Sequence, residues 1–354
     1  MSDFKHNSED NYIEIIQRLV KCIVILLIIV VGLVVLNIVD LSSPKKIKEN
    51  ANEIVVARKD TTLIASDTTH ITAPDTSLIS AEKNAAQIRY GRELIANTSL
   101  YFGPKGKIAH MNNGMNCQNC HLEAGTKPFG NNYLAVAATY PKFRERSGSI
   151  ETIYKRVNDC FERSLNGKAL DTLGNEMQAI QAYIKWLGKN MAKGEKPKGS
   201  GIAELKYLDR AADAEKGKIV YSLKCKTCHG EEGAGKFNND NLAYQYPPLW
   251  GEHSYNSGAG LYRLSRFAAY VKYNMPQGAS FKNIQLSDEE AWDVAAFVNS
   301  QPRLVKDPKN DWPKISGKPV DHPFGPYADN FSEKEHKYGP FGPIVEARKK
   351  SEKK

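Results

Sequence analysis

The motif Cys-x-x-Cys-His occurs twice in this chain of 354 residues, and no other feature limits the possible fold as strongly. Its residues are Cys117, Cys120, His121, Cys225, Cys228 and His229. Two cysteines one helical turn apart can bond the two vinyl groups of a haem, and the next residue then directs its imidazole at the iron. We therefore expect two covalently bound c-type haems. A zinc or thioredoxin-like site is the alternative, and the presence of two copies, each in a helical frame, argues against it.

The sequence around each motif repeats as well. A helix with a glycine near its middle precedes each motif, with Gly91 in the first copy and Gly217 in the second. Each copy ends in an amphipathic helix, predicted at residues 176–187 and 288–300. A central glycine allows two terminal helices to cross closely. The pattern resembles the cytochrome c family and predicts a mostly α fold with two cytochrome c-like helical domains in tandem.

We expect these domains at residues 81–195 and 202–302, joined by a hinge rich in Lys, Gly and Pro. Residues 303–354 carry many prolines and aromatic residues, which is not typical of a helix and predicts an extended strap on one or both domains. The formal charge of +9 favours anionic partners. Because the lysines are scattered and no nucleic-acid motif occurs, we do not expect a nucleic-acid partner.

The amino-terminal region contains an apolar, uncharged run from Cys22 to Val39, which is long enough to cross a bilayer. We expect a cytoplasmic tail at residues 1–18, a transmembrane anchor at residues 19–40 and a polar linker at residues 41–80. A cleaved signal peptide is the alternative, although the run is longer than the usual apolar region of such a peptide. Covalent haem attachment occurs outside the cytoplasm. The prediction is therefore an inner-membrane-anchored protein with its haem domains in the periplasm.

Each haem iron also needs a second axial ligand. In the second copy Met275 precedes Pro276, which stiffens a loop that must present the thioether. The candidates in the first copy are Met111, Met115, Cys160, Met177 and Met191. Alignment of the two copies places Cys160 one residue beyond the position of Met275. We expect the ligand pairs His121/Cys160 and His229/Met275, with a buried packing side chain as the alternative for Cys160 and Met275.

A cysteine ligand favours sulfur chemistry over simple electron transfer. A thiolate stabilises ferric iron, whereas methionine raises the potential, so the first haem should have the lower potential. A cysteine sulfur can also form a covalent bond with a substrate sulfur. Arginine suits flat, multi-oxygen anions, although it also pairs with haem propionates. Cations and small donors near Cys160 in the sequence are Arg144, Arg146, Arg156, Arg163, Ser164, Asn166 and Lys168.

The run Arg-Val-Asn-Asp-Cys-Phe-Glu-Arg-Ser-Leu-Asn-Gly-Lys at residues 156–168 resembles the dihaem thiosulfate dehydrogenase family, as does the sequence from about residue 85 to the late 330s. The resemblance implies that Cys160 ligates the active-site haem and that Arg146, Arg156, Ser164 and Lys168 bind an anionic substrate. It implies that two thiosulfates are joined into tetrathionate, with electrons passing from haem 1 to haem 2 and on to an external acceptor. The reverse reaction, tetrathionate reduction, stays open.

Two other functions compete with this interpretation. A membrane-anchored dihaem electron carrier, without substrate chemistry of its own, would contain the same haem motifs. Another sulfur-oxidation cytochrome with a cysteine-ligated haem would act on a carrier-bound substrate and would release no free tetrathionate. Replacement of Cys160 by Met discriminates between an enzyme and a carrier. An enzyme would lose turnover, whereas in a carrier little besides the reduction potential of the haem would change.

Overall fold

The computed structural model describes residues 17–30 and 70–352 of the chain. Helix α1 covers residues 17–30 and belongs to a different compact unit from residues 70–352, so each is described by itself. The large apolar side chains of α1 are exposed. Within the described residues, no helix is both long and apolar enough to cross a bilayer. Of the predicted tail at 1–18, anchor at 19–40 and linker at 41–80, the structure describes residues 17–18, 19–30 and 70–80, and the remainder lies outside the described residues.

The first haem motif lies in a domain of six helices and one two-stranded antiparallel sheet. The helices are α2 (Ala85–Ala96), α3 (Thr98–Phe102), α4 (Leu122–Gly125), α5 (Val136–Thr139), α6 (Ile153–Arg163) and α7 (Asn175–Leu187). Strands β1 (Lys142–Arg144) and β2 (Ser149–Glu151) pair with Phe143 opposite Ile150. Two 3-10 turns, Thr76–Ala81 and Cys117–Asn119, complete this part.

The second haem motif lies in a smaller version of the same arrangement. Its helices are α8 (Ala214–Lys224), α9 (Lys226–His229), α10 (Leu264–Asn274) and α11 (Asp288–Ser300), with a 3-10 turn at Gly260–Tyr262. Strands β3 (Lys236–Phe237) and β4 (Tyr244–Tyr246) pair antiparallel. The described fold is mostly helical and contains the two predicted copies.

Two helix pairs, α2 with α7 and α8 with α11, form the matching frames of the two copies. At each crossing a glycine faces the backbone of the partner helix. A Cβ atom at Gly91 would lie 1.9 Å from the backbone oxygen of Ala179, and one at Gly217 would lie 1.9 Å from that of Asp293. Only hydrogen at these positions permits the approach. The prediction that the glycines allow the helices to cross closely is confirmed.

The carboxy-terminal segment contacts both domains. Asp311 pairs with Arg163 of the first domain, and Asp321 pairs with Arg263 of the second. Asp321 is 1% exposed and also accepts hydrogen bonds from the backbone and hydroxyl of Ser265. Burial alone would raise the pKa of Asp321, but Arg263 and Ser265 hold this pKa below its usual range. These ion pairs fix the segment on the two domains.

The end of this segment is helical, so the prediction of an extended strap is wrong for residues 333–351. Helices α12 (Glu333–Tyr338) and α13 (Phe341–Ser351) follow a short 3-10 turn at Ile315–Gly317. A capping box of Ser332 and Glu335 starts α12. Pro343 lies in the first turn of α13, where a helix needs no backbone N–H. Burial of Phe341 and Ile344, three residues apart, then stabilises the helix.

Substituting the crossing glycines tests this frame. Gly91→Ala and Gly217→Ala should each lower the free energy of unfolding by about 3 kcal/mol or more, because the methyl group meets backbone that cannot rotate away. Gly342→Ala is the control: its Cβ meets nothing within 4 Å, and we expect a change between zero and about 1 kcal/mol of stabilisation. Thermal unfolding of the haem-loaded protein measures all three, and equal effects at the three positions would contradict the crossing geometry.

Candidate functional site

Cys160 and His121 face one cavity of about 220 Å³ inside the first domain. Helix α6 positions Cys160: Thr152 caps the helix by accepting a hydrogen bond from the backbone N–H of Lys155, and Cys160 follows two turns later. Arg156 lies one turn before Cys160 on the same helix and lines the same cavity. Cys117 of the first motif also lines it. The expected ligand pair His121/Cys160 is therefore brought together in space.

The imidazole of His121 is oriented for metal ligation. Its Nδ1 lies 2.5 Å from the carbonyl oxygen of Asn131, and the ring stacks on Tyr133 with 4.3 Å between centroids. Burial lowers the pKa of His121 to about 4, so the ring is neutral. A neutral imidazole that donates from Nδ1 has its Nε2 lone pair free to bind iron.

The methionine candidates of the first copy lie elsewhere. Among the described residues, no methionine lines the cavity that His121 and Cys160 share. Met177 is 0% exposed and packs in the core from helix α7, and Met115 is 2% exposed. Met111 and Met191 pack at the margin of the core. This placement leaves Cys160 as the sulfur that faces His121.

The second motif faces a larger cavity of about 770 Å³. Cys225, Cys228, His229 and Met275 all line it. The Nδ1 of His229 lies 2.8 Å from the carbonyl oxygen of Pro247, and burial lowers the pKa of His229. Met275 directly follows helix α10, so the helix end presents its thioether to the cavity.

Both cavities fit a covalently held haem by the chemistry of their donors. The four motif cysteines form no disulfides. Each cavity is lined by a histidine nitrogen and by a sulfur donor outside the motif, either Cys160 or Met275. The larger cavity extends to Cys120 of the first motif. At this junction the hydroxyl of Tyr270 donates a hydrogen bond of 3.1 Å to the carbonyl oxygen of Asn119. The second domain thus packs directly against the first motif.

A cleft of about 240 Å³ adjoins the first cavity and shares His121, Arg156 and Cys160 with it. Six guanidinium groups line the cleft, those of Arg144, Arg146, Arg156, Arg163, Arg263 and Arg266. The hairpin of β1 and β2 carries Arg144 and Arg146, and helix α6 carries Arg156 and Arg163. The hydroxyl-bearing Ser164 also lines the cleft. The site therefore places the sulfur of Cys160 beside a strongly cationic surface.

The carboxy-terminal segment orients Arg146. The guanidinium of Arg146 donates a 2.7 Å hydrogen bond to the carbonyl oxygen of Gly258, lies 3.9 Å from Asp311 and lies 5.5 Å from the ring centroid of Trp312. The backbone N–H of Trp312 donates in return to the Arg146 carbonyl oxygen at 2.7 Å. Burial and the neighbouring Arg163 lower the pKa of Arg146 to about 10. The pKa of Arg156 is raised instead, chiefly by the nearby sulfur of Cys160.

Comparison with known proteins decides the family. A model described as the SoxA/TsdA cytochrome c domain matches residues 107–192, and one described as cytochrome c matches residues 214–302. The chain is 38% identical to thiosulfate dehydrogenase of Psychrobacter arcticus, over 69% of this chain and 72% of that protein. It is 36% identical to thiosulfate dehydrogenase of Allochromatium vinosum, over 69% of this chain and 88% of that protein. The chain belongs to the thiosulfate dehydrogenase family.

A solved structure supports the same assignment. Thiosulfate dehydrogenase (TsdBA) from Marichromatium purpuratum aligns with a TM-score of 0.63 and 30% identity, over 70% of this chain. The alignment covers 52% of that protein, so the chain spans about half of its length. Together with the two cytochrome c domains, this shows that the family member described here carries two c-type haems.

Most site residues predicted from the sequence meet in the structure. Arg146, Arg156, Cys160 and Ser164 all line the cleft. Lys168 is exposed and is not among the described residues that line the cleft, so the thiosulfate dehydrogenase family resemblance alone supports a role for it. Local sequence patterns did not predict the second-domain arginines and the tail residues that support the site, namely Arg263, Arg266, Asp311 and Trp312. The signal available for the last two was the proline- and aromatic-rich composition of residues 303–354, in which Asp311 and Trp312 precede Pro313.

Removing the carboxylate of Asp311 tests how firmly the tail is attached to the site. Asp311 is bonded by both outer nitrogens of Arg163 at 2.9 Å, and the two side chains are 10% and 13% exposed. Asp311→Asn should lower the free energy of unfolding by about 3 kcal/mol, because it leaves Arg163 buried without a counter-ion. The exposed Asp307 provides the control, and Asp307→Asn should change stability by less than about 0.5 kcal/mol. Equal thermal unfolding of the two variants would contradict the attachment.

Proposed function

We propose that this protein joins two thiosulfates into tetrathionate at the cleft beside Cys160 and passes the two released electrons to an external acceptor. The observation that carries the proposal is that Cys160 and Arg156 line both the first haem cavity and the arginine-lined cleft. A sulfur that is accessible from both the haem cavity and the cleft can bind the iron and can also react with an incoming anion. A pure electron carrier has no need of such an anion site.

The two cavities support an assignment of the haem-binding residues. Cys117 and Cys120 would hold the first haem covalently, and His121 and Cys160 would bind its iron. For the second haem, Cys225 and Cys228 would form the thioethers. His229 and Met275 would bind its iron. When bound, the haems would supply one-electron acceptors for the two electrons released, and thiolate ligation would give the first haem the lower potential.

Cys160 would act as the covalent carrier of the first substrate. Its thiolate bonds the outer sulfur of one thiosulfate, which releases two electrons and leaves a cysteine S-thiosulfonate. A second thiosulfate then attacks, through its own outer sulfur, the adduct sulfur that is bonded to Cys160 Sγ. Tetrathionate leaves and the Cys160 thiolate is regenerated. Charge and atoms balance in both steps. The reverse sequence would reduce tetrathionate with two electrons.

The arginines would lower the electrostatic cost of bringing two dianions together. Two unit charges 4 Å apart near a protein surface repel by about 4 kcal/mol, and each thiosulfate carries two charges. Arg146 and Arg156 would bind sulfonate oxygens, each through two donors, and Ser164 would add a hydroxyl donor. Arg146 is already oriented by Gly258 and Asp311, so it loses little freedom when the anion binds.

Electron flow would run from the first haem to the second. The larger cavity contains Met275 and also reaches Cys120 of the first motif, which supports a short path between the two haems. The Tyr270–Asn119 hydrogen bond fixes the two domains at this junction. The higher potential expected for methionine ligation would draw electrons towards the second haem and on to an external redox partner.

We place the haem domains in the periplasm, since covalent haem attachment occurs there, and we propose that residues 19–40 tether them to the inner membrane. The uncharged sequence from Cys22 to Val39 and the exposed apolar side chains of α1 support the tether.

Replacing Cys160 tests the proposed function directly. Cys160→Gly should lower tetrathionate formation from thiosulfate, measured with an artificial electron acceptor, on the order of a thousandfold or more, because the covalent carrier is lost. Met177→Leu is the control: it replaces a buried methionine with a side chain of similar volume and should keep near-normal turnover. Wild-type protein that neither forms tetrathionate from thiosulfate nor reduces tetrathionate in the reverse assay would refute the proposal. Undiminished turnover of Cys160→Gly would instead refute the role of the cysteine.

A further inference from the structure

The proposed reaction needs two anion-binding places, and the following inference rests on that function. Both thiosulfates carry a sulfonate group, and the second must approach while the first is held at Cys160. The substrate-binding residues expected from the sequence, Arg146, Arg156 and Ser164, all belong to the first domain. The cleft, however, is also lined by two arginines of the second domain, Arg263 and Arg266.

Two of the six arginines in the cleft are already neutralised by carboxylates. Arg163 is bonded twice to Asp311, and Arg263 is bonded twice to Asp321. These pairs hold the tail in place and have little capacity left for a substrate anion. Arg144 lies 3.9 Å from Glu151, which is a looser pair.

Arg156 and Arg266 are different, since neither side chain has a hydrogen bond or an ion pair within residues 17–30 and 70–352. Both are partly exposed, and both line the cleft. They come from different elements of the cleft wall. Arg156 lies one turn before Cys160 on helix α6. Arg266 lies in the first turn of helix α10 in the second domain, close after Arg263, which is bonded to Asp321.

We propose that Arg266 binds the sulfonate of the second thiosulfate, so that the second haem domain completes the substrate site. Arg144 also lines the cleft and contributes a further positive charge. The first thiosulfate then occupies the part of the cleft near Arg156 and Cys160. The second is held in the part near Arg266, and each substrate has its own uncommitted guanidinium.

The balance of charge around Arg266 agrees with this assignment. Burial, followed by the neighbouring Arg263, lowers the pKa of Arg266, which means that the surroundings hold too little negative charge for it. A bound dianion would supply that charge. A propionate of the first haem is the competing partner for Arg266, and the experiment must separate the two.

Steady-state kinetics with Arg266→Gln test the substrate role. We expect the KM for thiosulfate to rise about tenfold to hundredfold, the range for loss of a hydrogen bond to a charged group, with kcat within about threefold of wild type. Arg266→Lys keeps the charge and should recover part of the loss. Arg89→Gln is the matched control, because Arg89 is exposed, bonds only Ser80 and lies outside the cleft. An unchanged KM in Arg266→Gln would overturn the proposal.

A second measurement does not depend on turnover. Fully reduced protein cannot take electrons from thiosulfate, so calorimetric titration with thiosulfate counts the bound anions alone. We expect two thiosulfates per wild-type chain and one per Arg266→Gln chain, with the midpoint potentials and absorption spectra of both haems unchanged. Two anions in both proteins, together with a shifted potential of the first haem, would assign Arg266 to a propionate and overturn the proposal. If wild-type protein binds two thiosulfates but forms no tetrathionate, the proposed function fails while the second anion site stands.

Discussion

The placement of Cys160 and His121 on one cavity is the arrangement on which the rest of the site depends. The same cysteine borders a cleft lined by six arginines. Under the proposed function, this sulfur would bind the iron of the first haem on one side and meet substrate anions on the other. Helix α6 makes this possible, because it places Arg156 and Cys160 one turn apart. Neither a methionine nor a cysteine buried in the core would link the metal to the substrate in this way.

The site is a product of the whole chain rather than of the first domain alone. The β1–β2 hairpin and helix α6 bring four arginines, the second domain brings Arg263 and Arg266, and the tail brings Asp311 and Trp312. Two carboxylates of the tail, the half-buried Asp311 and the buried Asp321, each neutralise one arginine. Arg163 and Arg263 therefore stabilise the structure, and under the proposal the arginines without a close carboxylate partner are left to bind an anion.

Local patterns predicted the parts of this structure that depend on short-range chemistry. Motif spacing identified both haem sites, Gly91 and Gly217 predicted the two helix crossings, and alignment of the copies placed Cys160 in the first cavity. Features that depend on contacts between distant segments were not predicted from local patterns. Helix α13 is stabilised because Phe341 packs against Tyr207 and Trp292, with ring centroids 5.4 and 5.7 Å apart. The sequence pattern disfavoured a helix here, because Pro340 and Pro343 lie at its start. Arg266 gave no signal, since only the packing of the second domain brings it to the cleft.

Electron paramagnetic resonance of the ferric protein tests the central claim most directly. If Cys160 is the iron ligand, the wild-type spectrum contains a low-spin signal typical of histidine–thiolate ligation beside one typical of histidine–methionine ligation. The thiolate signal then disappears in Cys160→Gly and persists in Met177→Leu. Two histidine–methionine signals in the wild type, unaffected by loss of Cys160, would contradict the account and leave the protein as a dihaem electron carrier.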